Sequence, residues 1–236
     1  MLAVERQDRI LALLKQRRSM MLEALADELG VSASTVRRDL EQIEQTGQVQ
    51  RTHGGVVYTG DKQPNSRPYA FDQRLAYNLD AKRKIARAAR ALVQPGQTIL
   101  IDGGTTTYYF AEELQGLHLQ IVTNSLSIAE LFQNDDGVEV ILTGGLVYPR
   151  YGLLLGPMTE NALETIHTQT LFVSAAGVHE GVLYNQNLLL VQAEERMIRQ
   201  SQQVVLLVDS TKFGQQALSR LCTLNEIDIV VTDAVP

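Results

Sequence analysis

The amino-acid sequence predicts an α/β protein in two parts, in which three short helices and a β-hairpin precede a larger, mostly parallel α/β sheet. The first 58 residues show helical periodicity and then two short strand patterns around a pair of glycines. From residue 97 onward, short β-branched or leucine-rich runs alternate with helical stretches, as in sheets that are buried on both faces. With 236 residues, the chain is long enough for both parts to bury a core.

The first part is predicted to contain three helices and two short strands. The predicted elements are a first helix over 2–14, a break at 19–21, a second helix over 22–29, a tight turn at 30–31, a third helix ending at 46–47, and strands at 49–53 and 56–58 around Gly54-Gly55. A tight turn before the third helix is typical of a helix-turn-helix. Three helices followed by a small hairpin predict a winged helix-turn-helix.

The third helix separates an apolar face from a polar one. Val36, Leu40 and Ile43 fall at i, i+4 and i+7, which places them on one face. Ser32 or Ser34 is the expected N-cap, because a short hydroxyl side chain satisfies backbone N–H groups at a helix start. The remaining faces near the helix start carry Ser34, Thr35, Arg37 and Arg38. A helix that reads the DNA major groove makes its base and phosphate contacts from such positions.

One extended motif in this part is specific. The run Val31-Ser-x-x-Thr35-Val-Arg37-Arg38-Asp39-Leu40, followed by Gly47 and Arg51-x-His53-Gly54-Gly55, is similar to the DeoR family of bacterial transcriptional regulators. The resemblance implies DNA contact at the positions that match the recognition helix and the wing, which are Ser32, Ser34, Thr35, Arg37, Arg38, Arg51 and His53. Arginine suits bidentate recognition of phosphate or guanine. The alternative is a solvated basic face on an ordinary three-helix domain.

Residues 59–70 are predicted to be a linker, because they include Gly60, Pro64 and Pro68 and few apolar side chains. The predicted division is therefore a winged helix-turn-helix domain at 1–58, the linker, and an α/β domain at 71–236. A basic helix over 80–92 follows the linker, with Ile85, Ala88, Ala89 and Leu92 expected inward and Lys82, Arg83, Lys84, Arg87 and Arg90 outward. Its basic face contacts DNA, contacts an acidic partner surface, or is simply solvated.

The net charge of −6 is distributed unevenly along the chain. Residues 1–60 are neutral, residues 61–90 carry +5, and residues 91–236 carry −11. An acidic α/β body repels DNA, so different segments are expected to have different tasks. Because one neutral winged domain gains little affinity from counterion release, we expect a homodimer or homotetramer.

Six apolar runs predict the strands of the sheet, at residues 98–101, 119–122, 138–142, 170–173, 204–208 and 227–231. In such sheets ligands bind beyond the carboxyl ends of the strands. Glycines, hydroxyls, an amide and one lysine follow five of these runs, a set suited to an anionic, hydroxyl-rich ligand. In the first loop, Gly103-Gly104 let backbone N–H groups point into the turn, and 105–107 open a helix whose N-terminus favours phosphate. A glycine-rich turn needed only for chain reversal is the alternative.

The runs Asp102–Thr107, Thr123–Ser125, 142–146 and Asp209–Phe213 resemble the effector domain of the same family, which is related in fold to ribose-5-phosphate isomerase and glucosamine-6-phosphate deaminase. The resemblance implies a phosphorylated sugar or similar metabolite as effector. It implies that the phosphate is held by Gly103, Gly104, Thr105, Thr106 and Thr107, the sugar by Asp102, Asn124 and Gly145, and the anion by Lys212. The chain departs from the family pattern at Ala176 and at Tyr184–Asn187.

Several classes of site are not expected. The histidines after residue 100 stand singly without metal-ligand spacing, so no metal site is predicted, and no cofactor is expected. The single cysteine, Cys222, excludes an internal disulfide framework. No run of 18 apolar residues predicts a membrane span, and the first residues lack the apolar core of a signal peptide. We therefore expect a cytoplasmic protein.

The favoured interpretation is a transcriptional regulator that binds operator DNA, a repressor of a carbohydrate-metabolism operon controlled by a phosphorylated sugar. The second hypothesis is a sugar-phosphate isomerase or deaminase with an appended DNA-binding domain. Such chemistry needs a positioned general base, and only Asp102 and Glu194 are candidates, so no catalytic residue is assigned. The third is an architectural DNA-binding protein with a vestigial pocket.

Overall fold

The computed structural model of the chain describes residues 3–17, 19–45, 48–52, 55–58 and 71–234. The chain divides into two compact units, residues 1–67 and 68–236. The predicted linker at 59–70 lies outside the described residues, and the domain boundaries on either side of it stay a prediction. No helix in the described ranges is long and apolar enough to cross a membrane.

The first unit contains three helices and a three-stranded antiparallel sheet. Its elements are α1 (Ala3–Arg17), β1 (Ser19–Met21), α2 (Leu22–Leu29), α3 (Ala33–Gln45), β2 (Val49–Thr52) and β3 (Gly55–Tyr58), and the strand order is β1-β3-β2. The expectation of a simple break at 19–21 is wrong, because these residues form β1. Met20 is buried between exposed Ser19 and Met21, and it pairs with Val56 of β3.

The core of the first unit is formed by the apolar faces of its three helices. Ile10, Leu14, Leu25, Val36 and Leu40 are fully buried together. The turn between α2 and α3 depends on Gly30, whose φ of +65° lies in the left-handed region that favours glycine. Ser32 is the N-cap of α3, since its Oγ accepts a hydrogen bond from the backbone N–H of Thr35 at 3.2 Å.

The second unit is a parallel α/β fold with two small accessory sheets. Its helices are α4 (Phe71–Ala76), α5 (Leu79–Arg90), α6 (Thr105–Glu112), α7 (Leu126–Leu131), α8 (Pro157–Glu164) and α9 (Leu188–Arg199). Its strands are β4 (Thr98–Ile101), β5 (Leu119–Thr123), β6 (Val138–Leu142), β7 (Leu146–Tyr148), β8 (Leu153–Leu155), β9 (Thr168–Val173), β10 (Gly177–His179), β11 (Val182–Asn185), β12 (Ser201–Leu207), β13 (Ser219–Thr223) and β14 (Ile229–Val231).

The six predicted strands form the main sheet in the order β14-β12-β9-β4-β5-β6, with all neighbours parallel. Each face of the sheet carries its own apolar core, so residues along β4 alternate between them: Leu100 lies in one core, and Ile99 and Ile101 lie in the other. The predicted parallel α/β fold is confirmed. Strands β7 and β8 form a hairpin, and β10, β11 and β13 form a second antiparallel sheet.

The basic helix differs from the prediction at Lys82, which is inward, and at Ala88, which is exposed while Ala86 is buried in its place. Its inward residues are Lys82, Ile85, Ala86 and Ala89. Lys82 is only 4% exposed, and its Nζ donates hydrogen bonds to the backbone carbonyls of Arg74 and Tyr77. The last carbonyls of a helix have no partner within the helix, so the ammonium group satisfies the end of α4. A charged residue at this position is therefore inward, contrary to the expectation from charge patterning.

Replacing Leu25 by alanine is expected to lower the free energy of unfolding of the first unit by about 2–5 kcal/mol, because Leu25 is fully buried among three helices. The matched control is Met21→Ala, since Met21 is 57% exposed and its removal is expected to change stability by about 0.5 kcal/mol or less. Urea denaturation followed by circular dichroism measures both. Equal losses from the two substitutions would contradict this assignment of the core.

Candidate functional sites

The outer face of α3 is the candidate DNA interface. Ser34, Arg37 and Arg38 are exposed, and Thr35 is half-buried. The Oγ of Ser32 lies 2.8 Å from the Oγ of Ser34 and 2.8 Å from the Oγ1 of Thr35, so three hydroxyls cluster at the helix start. The positive end of the helix dipole adds to this cluster, which therefore suits contact with a phosphate group.

An ion pair between helices orients this face. Arg6 of α1 donates to both carboxylate oxygens of Asp39, with Nε to Oδ2 at 2.5 Å and a terminal nitrogen to Oδ1 at 3.0 Å. Asp39 is 3% exposed. A bidentate pair constrains orientation as well as distance. It joins α3 to α1 through the inner face, which leaves Arg37 and Arg38 on the outer face.

The predicted wing contacts are described only in part. Arg51 lies in β2, where its backbone pairs opposite Val56 of β3. His53 lies outside the described residues. The role of both in DNA binding stays a prediction.

The second candidate site lies at the point in the main sheet where the chain stops adding strands on one side and begins to add them on the other. Strands β4, β5 and β6 extend to one side and β9, β12 and β14 to the other, so the topological switch point falls between β4 and β9. Asp102 directly follows β4, and its backbone N–H donates to the carbonyl of Phe172 in β9 at 3.0 Å. Asp102 is thus placed at the switch point.

The glycine loop after Asp102 is closely packed. A Cβ on Gly103 would lie 1.9 Å from Cδ2 of Leu153, and a Cβ on Gly104 would lie 2.2 Å from the Oγ of Ser174. A larger residue at either position would have to displace the side chain of the buried Leu153 or of Ser174, so packing favours glycine here, whether or not a ligand approaches. The loop leads into α6, and Thr105 and Thr106 are buried in its first turn.

Thr107 closes this loop from within. Its Oγ1 accepts a hydrogen bond from the N–H of Gly104 at 2.7 Å and donates one to the carbonyl of Gly104 at 3.0 Å. Both bonds engage the hydroxyl that the family resemblance assigns to phosphate. The geometry favours a role for Thr107 in shaping the loop.

The hairpin of β7 and β8 covers the site, a feature that the sequence did not reveal. Leu154 donates its N–H to the carbonyl of Asn124 at 2.8 Å, and Nδ2 of Asn124 donates to the carbonyl of Leu154 at 3.3 Å. Tyr151, in the turn of the hairpin, and Leu153, in β8, are buried in the core on one face of the main sheet. The backbone groups at the end of β5 are therefore engaged by the hairpin, and the site is enclosed.

Gly145, a predicted sugar contact, lies at the base of this hairpin. Its φ of +130° is in the region that favours glycine, and a Cβ there would lie 2.1 Å from the Oγ1 of Thr159. That hydroxyl donates to the carbonyl of the adjacent Gly144 at 2.7 Å. Gly145 is thus half-buried and fixed by packing at the start of α8, and its contact with a sugar stays a prediction.

Two acceptor oxygens in the site are buried without a hydrogen-bond partner. They are Oδ1 of Asp102 and Oδ1 of Asn124, as judged among residues 3–234 apart from the undescribed segments. Buried polar groups are nearly always satisfied, and leaving one unpaired costs about 1–3 kcal/mol. Hydroxyl donors of a ligand would satisfy both oxygens, so the site suits a polyhydroxy compound.

Three cations converge on the same region. Lys212 ends a 3-10 turn at Ser210–Lys212 after β12, and burial lowers its pKa. Burial of Lys82 lowers its pKa to about 7, although the charge of Asp209 opposes the shift. Arg74 places its guanidinium 5.0 Å from the ring centroid of Tyr151. Lys82 is buried and Arg74 and Lys212 are half-buried, and like charges brought together in this way favour an anion, so the region suits an acidic ligand group.

A pair of buried carboxyls completes the site. Burial raises the pKa of Asp102 to about 6, opposed by hydrogen bonds from the N–H groups of Gly103 and Ser174 and by the charge of Arg74. Burial and the nearby Asp102 raise the pKa of Glu194 well above its ordinary value. Nδ2 of Asn185 donates to both oxygens of Glu194, at 2.7 and 2.8 Å.

Sequence reasoning missed some residues of this site. The sequence marks Arg74 only as one of the positive charges of residues 61–90. No sequence pattern indicates a role for Tyr151. Asn185 stood out as a departure from the family pattern, and the structure pairs it with Glu194. Arg74, Tyr151 and Asn185 do not follow a strand of the main sheet. They are identified as site residues only by their contacts in the folded structure.

The raised pKa values of the Asp102 and Glu194 carboxyls predict that the protein loses stability as pH rises from about 4 to 6, whereas above about pH 7 the lowered pKa of Lys82 acts in the opposite direction. Between pH 3.8 and about 6 the folded state keeps the proton of Asp102 that the unfolded state has released, so the free energy of unfolding falls through this window, by about 3 kcal/mol in total. Glu194 extends the loss to higher pH. We expect Glu194→Gln to remove one buried charge, to flatten this profile and to be more stable than the native protein at about pH 8.

The control for this experiment is Glu113→Gln, because Glu113 is exposed at the end of α6. Thermal or chemical unfolding from about pH 4 to pH 8 provides the profile. A Glu194→Gln profile parallel to those of the native protein and the control would refute the carboxyl pair.

Comparison with known proteins places both units. Two family models match the chain, the DeoR-like helix-turn-helix domain over residues 6–62 and the DeoR C terminal sensor domain over residues 77–234. An uncharacterized HTH-type transcriptional regulator of Bacillus subtilis, YulB, is 34% identical over 99% of this chain and 90% of its own length. The HTH-type transcriptional repressor GlcR of the same species is 29% identical over 98% of this chain and 89% of its own length.

Among solved structures, ribose 5-phosphate isomerase A of Methanocaldococcus jannaschii aligns with 58% of this chain and 55% of its own, with 21% identity and a TM-score of 0.43. The relatives that match along the whole chain are transcriptional regulators and not enzymes. The chain therefore belongs to the DeoR family of DNA-binding transcriptional regulators, with a helix-turn-helix domain followed by a sensor domain.

Proposed function

We propose that this protein represses a carbohydrate-metabolism operon and that a phosphorylated sugar or related metabolite, bound by the sensor domain, controls it. One observation carries the effector proposal. The enclosed site at the switch point combines two unpaired acceptors, on Asp102 and Asn124, with the cations Arg74 and Lys212. Hydroxyl donors and an anionic group on one small molecule satisfy both requirements. The name of the relative GlcR supports the choice of repressor.

On the DNA side, we assign contacts to the recognition helix and the wing. The proposed residues are Ser32, Ser34, Thr35, Arg37, Arg38, Arg51 and His53. The exposure of both α3 arginines and the hydroxyl cluster at the helix start support this assignment. In this proposal the operator is bound by residues 1–58, and the effector is bound by residues 71–236, which also form the oligomer. Residues 59–70 link these two domains.

On the effector side, the loop from Gly103 to Thr107 holds the phosphate through backbone N–H groups, with Lys212 as a counter-charge. Asp102, Asn124 and Gly145 face the sugar. The buried position of this loop at a helix N-terminus supports the first assignment. The engaged hydroxyl of Thr107 makes the backbone the more suitable phosphate ligand.

Control of the operator requires the effector to bind one arrangement of the two domains better than the other. A tenfold change in operator affinity corresponds to about 1.4 kcal/mol of coupling. A first domain without net charge gains little nonspecific affinity, which supports a homodimer or homotetramer joined through the sensor domains. Because its target is chromosomal DNA, the protein acts in the cytoplasm.

Arg38→Ala is expected to weaken binding to the DNA upstream of its own gene by about 1–3 kcal/mol and to reduce the salt dependence of binding. The matched control is Arg199→Ala, which removes the same charge from an exposed position at the end of α9. Fluorescence anisotropy at several salt concentrations, repeated with a panel of sugar phosphates, measures affinity and release. Absence of DNA binding under every condition would refute the proposed function.

The oligomer is predicted to persist at the concentration that saturates operator DNA. One neutral domain binds DNA weakly, and once one recognition helix is bound, the second is held at high effective concentration near its half-site. Light scattering at that concentration gives the mass, to be compared with 26.2 kDa for one chain. A monomer that saturates DNA would contradict the prediction.

A further inference from the structure

Helix α4 is the first described element after the predicted linker, and it reaches the sensor site. It begins at Phe71, directly after residues 59–70, and it carries Arg74 in its last turn. The guanidinium of Arg74 lies over the ring of Tyr151, which is buried in the turn of the β7–β8 hairpin and stacks on Tyr148 at 5.6 Å between ring centroids. One short helix therefore joins the linker to the cover of the site.

The position of α4 is fixed on its other sides by contacts from α5 and α6. Lys82 of α5 donates to the carbonyls of Arg74 and Tyr77 at the end of α4. The hydroxyl of Tyr109 donates to the carbonyl of Leu75 at 3.3 Å, and the ring of Tyr108 meets that of Phe71 edge-on at 5.6 Å. Because these contacts hold α4 along its length, a displacement of Arg74 would be carried to Phe71, the end of the helix that adjoins residues 59–70.

The charges around Arg74 favour an anion beside it. Arg74 acts on Lys212 as a like charge and on Asp102 as an opposite one, so its guanidinium lies within electrostatic reach of both predicted ligand groups. Asp102 acts on Arg74. The buried Asp209 acts on both Lys82 and Lys212, so two carboxyls face three cations in this region. A bound phosphoryl group would neutralise Arg74 and Lys212 at once, and guanidinium is the side-chain group best matched to it.

We propose that Arg74 is an effector-binding residue that contacts the anionic group of the effector and, through α4, transmits occupancy of the site to the linker. This inference rests on the proposed function, because it needs an operator-binding output. It adds a residue from outside the strand-end loops and an element that changes position when the site fills. An anion drawn between Arg74 and Lys212 shifts the last turn of α4, and the shift is passed to the chain that leads to the DNA-binding domain.

The test uses the full chain, with inorganic phosphate as the anionic probe and chloride at matched ionic strength as the reference. The variants are Arg74→Gln, which removes the charge, Arg74→Lys, which keeps the charge and loses the planar fork, and Tyr151→Leu, which removes the stacking partner. The control is Arg83→Gln. Arg83 is exposed on α5 and also lies over a tyrosine, with its Cζ 5.8 Å from the ring centroid of Tyr109.

Two quantities are measured for each protein, the rise in melting temperature caused by phosphate and the ratio of operator dissociation constants with and without phosphate. We expect the native protein and Arg83→Gln to show the same phosphate-induced stabilisation and the same operator ratio. Arg74→Gln is expected to weaken phosphate binding by about tenfold or more and to bring the operator ratio to one. Arg74→Lys should be intermediate, and Tyr151→Leu should reduce the operator ratio.

Native phosphate binding in both Arg74 variants would overturn the contact, as would a native protein that phosphate does not stabilise. Loss of phosphate binding in Arg74→Gln with an unchanged operator ratio would overturn the transmission. If Arg74→Gln does not fold, Arg74→Lys and Tyr151→Leu decide the same two points. The stabilisation measurement contains no DNA, so failure of operator binding, which refutes the proposed function, is distinguished from failure of this contact.

Discussion

Burial of the Asp102 carboxyl at the junction of β4 and β9 is the constraint on which the sensor domain depends. At 1% exposure, an ionised carboxylate is unfavourable unless nearby groups compensate it. The chain supplies backbone N–H groups from Gly103 and Ser174 and a cation from Arg74, and the remaining imbalance raises the pKa to about 6. The compensation is incomplete, since Oδ1 has no partner among the described residues. The protein thus maintains a polar site that a ligand can complete.

The packing around Asp102 explains why this site can be both closed and specific. Gly103 packs against Leu153 of the hairpin, and Gly104 packs against Ser174. A larger residue at Gly103 would therefore also displace Leu153 in the hairpin. The hairpin also engages the backbone of Asn124. An enclosed site of this kind strengthens every electrostatic contact within it, because water is largely excluded. Selectivity among sugar phosphates would then arise from how many hydroxyl groups reach the two unpaired oxygens.

Most of the fold could be predicted because local patterns and tertiary burial agree. The six main strands are apolar since the sheet is covered on both faces, and the residues that follow them meet at one edge because the strands are parallel. The misses have a different cause, which is contact between separate elements. Strand β1 and the hairpin cover depend on partners distant in the chain, namely β3 and the end of β5. Inward-facing Lys82 depends on carbonyls at the end of the preceding helix, α4, which charge patterning does not reveal. Patterning also favoured ligand approach as the reason for Gly103-Gly104, whereas contact with the side chains of Leu153 and Ser174 is a second reason that the sequence did not reveal.

The first domain limits how regulation can work. The bidentate contact from Arg6 to Asp39 and the fully buried Val36 and Leu40 fix α3 within its own unit. Breaking these contacts to release DNA would leave a buried carboxylate unpaired and open the core, at a free-energy cost larger than the 1–3 kcal/mol typical of allosteric coupling. In the proposed oligomer, a change in how the recognition helices of two subunits are spaced requires no such loss. An effector signal that leaves both domains folded and acts on the chain between them is therefore the economical mechanism, and α4 is the described element that adjoins that chain.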